Sequence, residues 1–113
     1  MKKLLITTML LLSSCSVFAN VGFQDSIKKS TVAEALKMND NTYVMVQGNI
    51  EKRISDDKYS FKDSTGSITV EIDDDKWNGL MVNSSDLLEL KGEIEKKFNS
   101  VKLDVDSVVK VNK

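Results

Sequence analysis

The 113-residue chain has no histidine, no proline, one arginine, one tryptophan and one cysteine. Each shortage removes a class of chemistry. Without imidazole there is no histidine general base, no Ser-His-Asp triad, and none of the commonest ligand for transition metals. The one cysteine, Cys15, falls inside an N-terminal leader, so thiol nucleophiles, zinc knuckles and disulfides are excluded from the segment that follows. Carboxylates, lysines, hydroxyls and Arg53 are what remain for chemistry, and no cofactor or metal is expected. Charge of either sign is also scarce in excess: 16 basic against 17 acidic side chains give a net charge of −1. Such a balance creates no general field for drawing in nucleic acid or anionic lipid. The absence of proline means that no strand is demoted on that ground.

The leader occupies residues 1–19. Lys2 and Lys3 precede an apolar run from Leu4 to Leu12, and Val17-Phe18-Ala19 supplies a signal-peptidase site. The run is nine residues long, whereas a helical span of hydrocarbon needs about 20, so no membrane span is expected. Cleavage after Ala19 leaves 14 basic and 17 acidic side chains, a net charge of −3. A second processing signal overlaps the first. Leu12-Ser13-Ser14-Cys15 has the form of a lipobox, and acylation there would give a lipid anchor at Cys15. Both routes remain open from the residues alone. Residues 20–30 show no periodicity and read as an exposed, flexible arm, which leaves residues 31–113 as one domain.

Within that domain the punctuation is clear. Thr31-Val32-Ala33-Glu34 has the form of a capping box and predicts a short helix from Val32 to Met38, stopped by Asn39-Asp40-Asn41. Val44, Val46, Gly48 and Ile50 alternate with polar partners as a first strand. Tyr59 and Phe61 mark a second, Asp63-Ser64-Thr65-Gly66 a turn, and Ile68, Val70 and Ile72 a third. Asp73-Asp74-Asp75 then heads a second short helix through Trp77 and Leu80, with the acidic side chains complementing the helix dipole. Leu88, Leu90, Gly92 and Ile94 form a fourth strand, and Val101, Leu103 and Val105 a fifth. Alternation slips at Ser107, which predicts a bulge.

Five antiparallel strands, with one short helix before them and another between the third and fourth, predict a mainly β five-stranded OB-fold barrel. Gly48 and Gly92 fall at inward positions where strands bend sharply, which favours closure. An open sheet with helices on one face is the alternative, and it would leave edges to protect.

The segments VQGNI (Val46 to Ile50), RISDDKYSFKDSTG (Arg53 to Gly66), DDDKWNG (Asp73 to Gly79), LKGEIEK (Leu90 to Lys96), FNSVKLDV (Phe98 to Val105) and the terminal KVNK resemble the bacterial OB-fold (BOF) family. The likeness covers nearly all of the exported domain. It implies a small non-enzymatic periplasmic protein of Gram-negative bacteria, concerned with envelope stress tolerance. It supplies no catalytic residues.

Function must therefore come from the surface. By strict alternation, Lys58, Ser60, Lys62, Thr69 and Glu71 point outward from the second and third strands, with no exposed aromatic among them. Such a face lacks the stacking platform and basic groove of single-strand nucleic-acid binders, so no nucleic acid is expected. Arg53, Lys58 and Lys62 are the predicted ligand-binding residues, for peptidoglycan, another oligosaccharide or an envelope protein. A lipidated adaptor tethered at Cys15 is one alternative, and a carboxylate-dependent glycan-processing enzyme is another. Asp56-Asp57 and Asp73 to Asp75 lack the spacing of a calcium loop. Trp77 has two available roles: a plug beneath the barrel, or a platform for a sugar ring or base.

Overall fold

Eight elements follow one another in the order that the punctuation predicts, with one addition at the start. The structure, a computed structural model, describes residues 27–111. The leader, Cys15 and the arm as far as residue 26 lie outside the described residues. The elements are β1 (Lys28–Ser30), α1 (Val32–Leu36), β2 (Tyr43–Arg53), β3 (Lys58–Asp63), β4 (Gly66–Glu71), α2 (Asp74–Trp77), β5 (Leu88–Lys97) and β6 (Ser100–Lys110). They form one sheet in the order β1-β2-β3-β4-β6-β5, and a β2–β5 pairing closes it into a barrel.

The barrel proper is the predicted five strands, β2 to β6. Strand β1 is a sixth, and it corrects the reading of residues 20–30 as an arm throughout. Lys28, Lys29 and Ser30 pair in parallel with Val44, Met45 and Val46, whereas β3 pairs with β2 only from Asn49 onward. Backbone groups on that edge of β2 would otherwise lack partners, and β1 supplies them. Three residues are too few to show a period.

Helix α1 is held at its N-terminus by four side chains. The Thr31 hydroxyl accepts from the Glu34 amide at 3.1 Å while the Glu34 carboxylate accepts from the Thr31 amide at 3.0 Å, as the capping box requires. The next two free amides are satisfied from the β3–β4 turn: Val32 donates to Asp63 at 2.9 Å and Ala33 to Thr65 Oγ1 at 2.9 Å. A helix this short has little intrinsic stability. Docking holds it, with Val32 and Ala35 fully buried in the core.

That core lies inside the barrel, built from Val44, Val46, Phe61, Val70, Ile72, Leu88, Leu90, Ile94 and Leu103, each at 0% exposure. Strand curvature depends on two glycines. A Cβ at Gly48 would lie 2.1 Å from the carbonyl oxygen of Lys62, and one at Gly92 would lie 2.2 Å from that of Asp104. The close neighbour in each case is an adjacent strand's backbone, so these glycines permit tight coiling of one strand on the next.

Two bulges break the ladders. On β6, Gly92 pairs with Val105 and Lys91 with Ser107, which leaves Asp106 as the extra residue where the sequence pattern slips. On β2, Ile50 pairs with Phe61 and Lys52 with Ser60, which leaves Glu51 as the extra residue. The second bulge is not visible in the sequence, and it turns out to matter more.

Candidate functional site

Each bulge reverses the facing of every residue beyond it. Strict alternation from Ile50 would turn Arg53 outward, beside Lys58 and Lys62. With Glu51 inserted, Lys52 faces outward opposite Ser60, and Arg53 lies opposite Tyr59 on the inner face. The three predicted ligand-binding residues are therefore divided. Lys58 and Lys62 remain on the outer face of β3, where Lys58 pairs with Asp57 at 3.6 Å and Lys62 is exposed. Arg53 stands apart from them.

On its own side Arg53 belongs to an aromatic stack. Its guanidinium carbon lies 5.9 Å from the centre of the Tyr59 ring. Tyr59 in turn meets Trp77 edge to face, with ring centres 5.5 Å apart and planes at 80°. This is an electrostatically favoured arrangement, because ring edges are positive and ring faces negative. Alternation puts Tyr59 on the core face of β3 with Phe61. Phe61 is fully buried, but Tyr59 is only half-buried, since it lies near the end of the barrel. Trp77 packs against the core and remains half-buried too, so it seals the barrel end without disappearing into it.

The two rings line a cleft of about 370 Å³, together with Ile50, Leu80 and Val82 on its apolar side and Glu51, Lys52, Asn83 and Ser84 on its polar rim. One wall is the bulged end of β2 and the start of β3. The other is the segment after α2. Helix α2 is four residues long, shorter than predicted, and it stops where Asn78 takes a left-handed conformation (φ 54°, ψ 38°). Asp73 occupies its N-cap position, yet the side chain makes no capping hydrogen bond. The acidic triplet thus acts on this helix only through charge and backbone geometry.

Beyond Asn78 the lip is held by its own turn. The Asn83 amide donates to Asp86 at 2.8 Å, Asn83 Oδ1 accepts from the Ser85 amide and hydroxyl, and Asn49 Nδ2 donates to the Asp86 carbonyl at 2.8 Å. Glu51, on the opposite rim, accepts from the hydroxyls of Ser60 at 2.9 Å and Ser67 at 3.4 Å. Both walls are preorganised.

A separate acidic group sits beside this cleft. Asp57, Glu71 and Asp73 each present an oxygen, and the three lie within 4.8 Å of one another. Hard cations use such carboxylates. Here two are already engaged by ammonium groups, Asp57 by Lys58 at 3.6 Å and Glu71 by Lys102.

A closed, coiled β-barrel with a short helix between its third and fourth strands is an OB-fold. The comparisons narrow this to one family. The pattern of the Bacterial OB fold (BOF) protein family matches residues 13–110, and the chain belongs to that family. It is 48% identical over 83 residues to Protein YgiW of Escherichia coli K12, an alignment that covers 74% of this chain and 64% of YgiW. An uncharacterized protein of Haemophilus influenzae is 36% identical over 114 residues, covering 93% of this chain and 94% of that one. The calcium-regulated OB-fold protein CarO of Pseudomonas aeruginosa is 40% identical over 79 residues, covering 70% and 68%. The solved structure of E. coli YgiW superimposes with a TM-score of 0.71 at 45% identity, covering 76% of this chain and 90% of that one. The telomere capping protein Ten1 of Schizosaccharomyces pombe shares the fold at a TM-score of 0.61 and 14% identity, covering 75% and 81%. No helix among the described residues is long and apolar enough to cross a membrane.

Proposed function

We propose that this protein is a non-enzymatic binding module of the periplasm whose ligand site is the Trp77–Tyr59 cleft, and that it takes an oligosaccharide of the cell envelope, with peptidoglycan strands as the principal candidate. The carrying observation is the half-buried edge-to-face pair of Trp77 and Tyr59, opening into a cleft rimmed by Glu51, Lys52, Asn83 and Ser84. A pyranose ring has an apolar face that packs on an aromatic side chain and a rim of hydroxyls that needs carboxylate, ammonium and amide partners. The cleft offers both. A nucleic-acid strand would need several cations together, and this cleft has one lysine with a glutamate beside it.

In this reading Lys58 and Lys62 are not cleft contacts, because they face away from it. The leader delivers the domain to the envelope by either processing route. Acylation at Cys15 would tether the same cleft to a membrane, and cleavage at Ala19 would release it.

Retention on purified peptidoglycan sacculi tests the reading. The protein co-sediments with sacculi, and Trp77→Ala and Tyr59→Ala variants that keep the wild-type far-ultraviolet spectrum do not. Equal retention of wild type and both variants would place the ligand elsewhere, and no retention of the wild type would reject peptidoglycan.

A further inference from the structure

Arg53 makes three contacts of its own. Its Nε donates to the Ser55 carbonyl at 3.1 Å, its Nη2 donates to the Asp56 carbonyl at 2.8 Å, and its guanidinium carbon sits 5.9 Å from the centre of the Tyr59 ring. One planar group therefore fastens the loop after β2 and supports the ring that forms a wall of the cleft. The loop's other ties lie at its two ends: the Ile54 and Ser55 amides both donate to the Lys58 carbonyl, the Asp57 carbonyl accepts from the Ile72 amide at 2.8 Å, and the Asp57 carboxylate pairs with Lys58 at 3.6 Å, so Arg53 is the side chain that holds Ser55 and Asp56 between them. The Glu51 bulge is what aims the side chain inward.

Resting on the reading of the Trp77–Tyr59 cleft as a binding site, we infer that Arg53 is its positioning residue: it fixes loop 54–57 and the Tyr59 ring, and acts on a ligand through that ring. The chemistry is specific to guanidinium. Its rigid fork of donors spans two successive regions of backbone while its face lies on an aromatic ring, whereas an ammonium is a compact point charge that cannot do both. Arg53 stays exposed in the structure, so its contribution comes from this geometry rather than from burial.

The test compares wild type with Arg53→Lys, Arg53→Ala and the double variant Lys58→Ala, Lys62→Ala, using near-ultraviolet circular dichroism and acrylamide quenching of Trp77, the only tryptophan. Affinity for soluble GlcNAc–MurNAc disaccharide is measured alongside. Both Arg53 variants are expected to lose aromatic dichroism, to expose Trp77 to quencher and to bind the disaccharide more weakly, by up to about fivefold in Arg53→Ala, where the exposed cation–π contact is lost outright. The double variant should match wild type in all three. Full recovery in Arg53→Lys would overturn the inference, because charge alone would then suffice. So would weakened binding in Arg53→Ala with unchanged optical signals, which would make Arg53 a direct contact. If wild type ignores the disaccharide while both Arg53 variants alter the optical signals, the glycan reading fails and the positioning role is supported.

Discussion

The carboxylate of Asp63, in the β3–β4 turn, accepts a hydrogen bond at 2.9 Å from the amide of Val32, 31 positions earlier. Its other oxygen accepts from the Thr65 amide and hydroxyl and from the Gly66 amide. One side chain thus closes the turn and caps α1, and so ties the N-terminal helix to the barrel. Asp63→Ala leaves several amides without partners and should cost about 2–3 kcal/mol in urea unfolding. A loss within experimental error would show that water replaces the cap.

The same residue gives a pH dependence. Burial raises the Asp63 pKa, but the bonds from Thr65, Val32 and Gly66 outweigh it, and the net shift is downward. The unfolded chain then binds the proton more readily, at about pH 3.9. The stabilisation is complete above that value and is lost as pH falls toward the lower folded pKa. The stability gap between wild type and Asp63→Ala should therefore narrow when unfolding is repeated at acid pH. A constant gap would contradict the shift.

Tyr43 gives the opposite case at alkaline pH. Its hydroxyl donates to Asp106, the extra residue of the β6 bulge, and this bond, then burial, then the charges of Asp106 and Glu93 push its pKa up to about 12. A raised folded pKa means stabilisation that is complete below the unfolded value of about 10 and is lost as pH rises through 12. Phenolate absorbance should show a late-titrating tyrosine that moves to lower pH in Asp106→Ala. Titration of Tyr43 at the ordinary value would remove the bond from the account.

Gly48→Ala and Gly92→Ala should each destabilise the barrel by about 3 kcal/mol or more, because the added methyl meets neighbouring strand backbone rather than a movable side chain. Thermal denaturation reads the loss directly. An alanine tolerated at either site would mean that the strands can separate without cost.

Much of this fold is legible because alternation and turn chemistry agree: Val44, Val46, Leu88 and Leu90 are buried as their phase predicts, and Thr31 with Glu34 forms the capping box. The site is less legible for one physical reason. A bulge adds a residue without leaving a mark when it falls in a polar run, and Glu51 opens the polar run Glu51-Lys52-Arg53. The slip at Ser107 shows only because valines flank it. Because the Glu51 bulge leaves no mark, strict alternation turns Arg53 to the outer face and conceals its partnership with Tyr59. Strand β1 is invisible for a different reason, since its three residues are defined by pairing with β2 rather than by composition.

Titration of the intrinsic fluorescence of Trp77 with soluble GlcNAc–MurNAc disaccharide reads whether a sugar ring packs against it in the cleft. A saturable change in emission is expected, with the same affinity in the Lys58→Ala, Lys62→Ala double variant and a much weaker one in Tyr59→Ala. An unchanged spectrum in the wild type, or binding that disappears only with Lys58 and Lys62, would contradict it and return the ligand site to the outer face of β3.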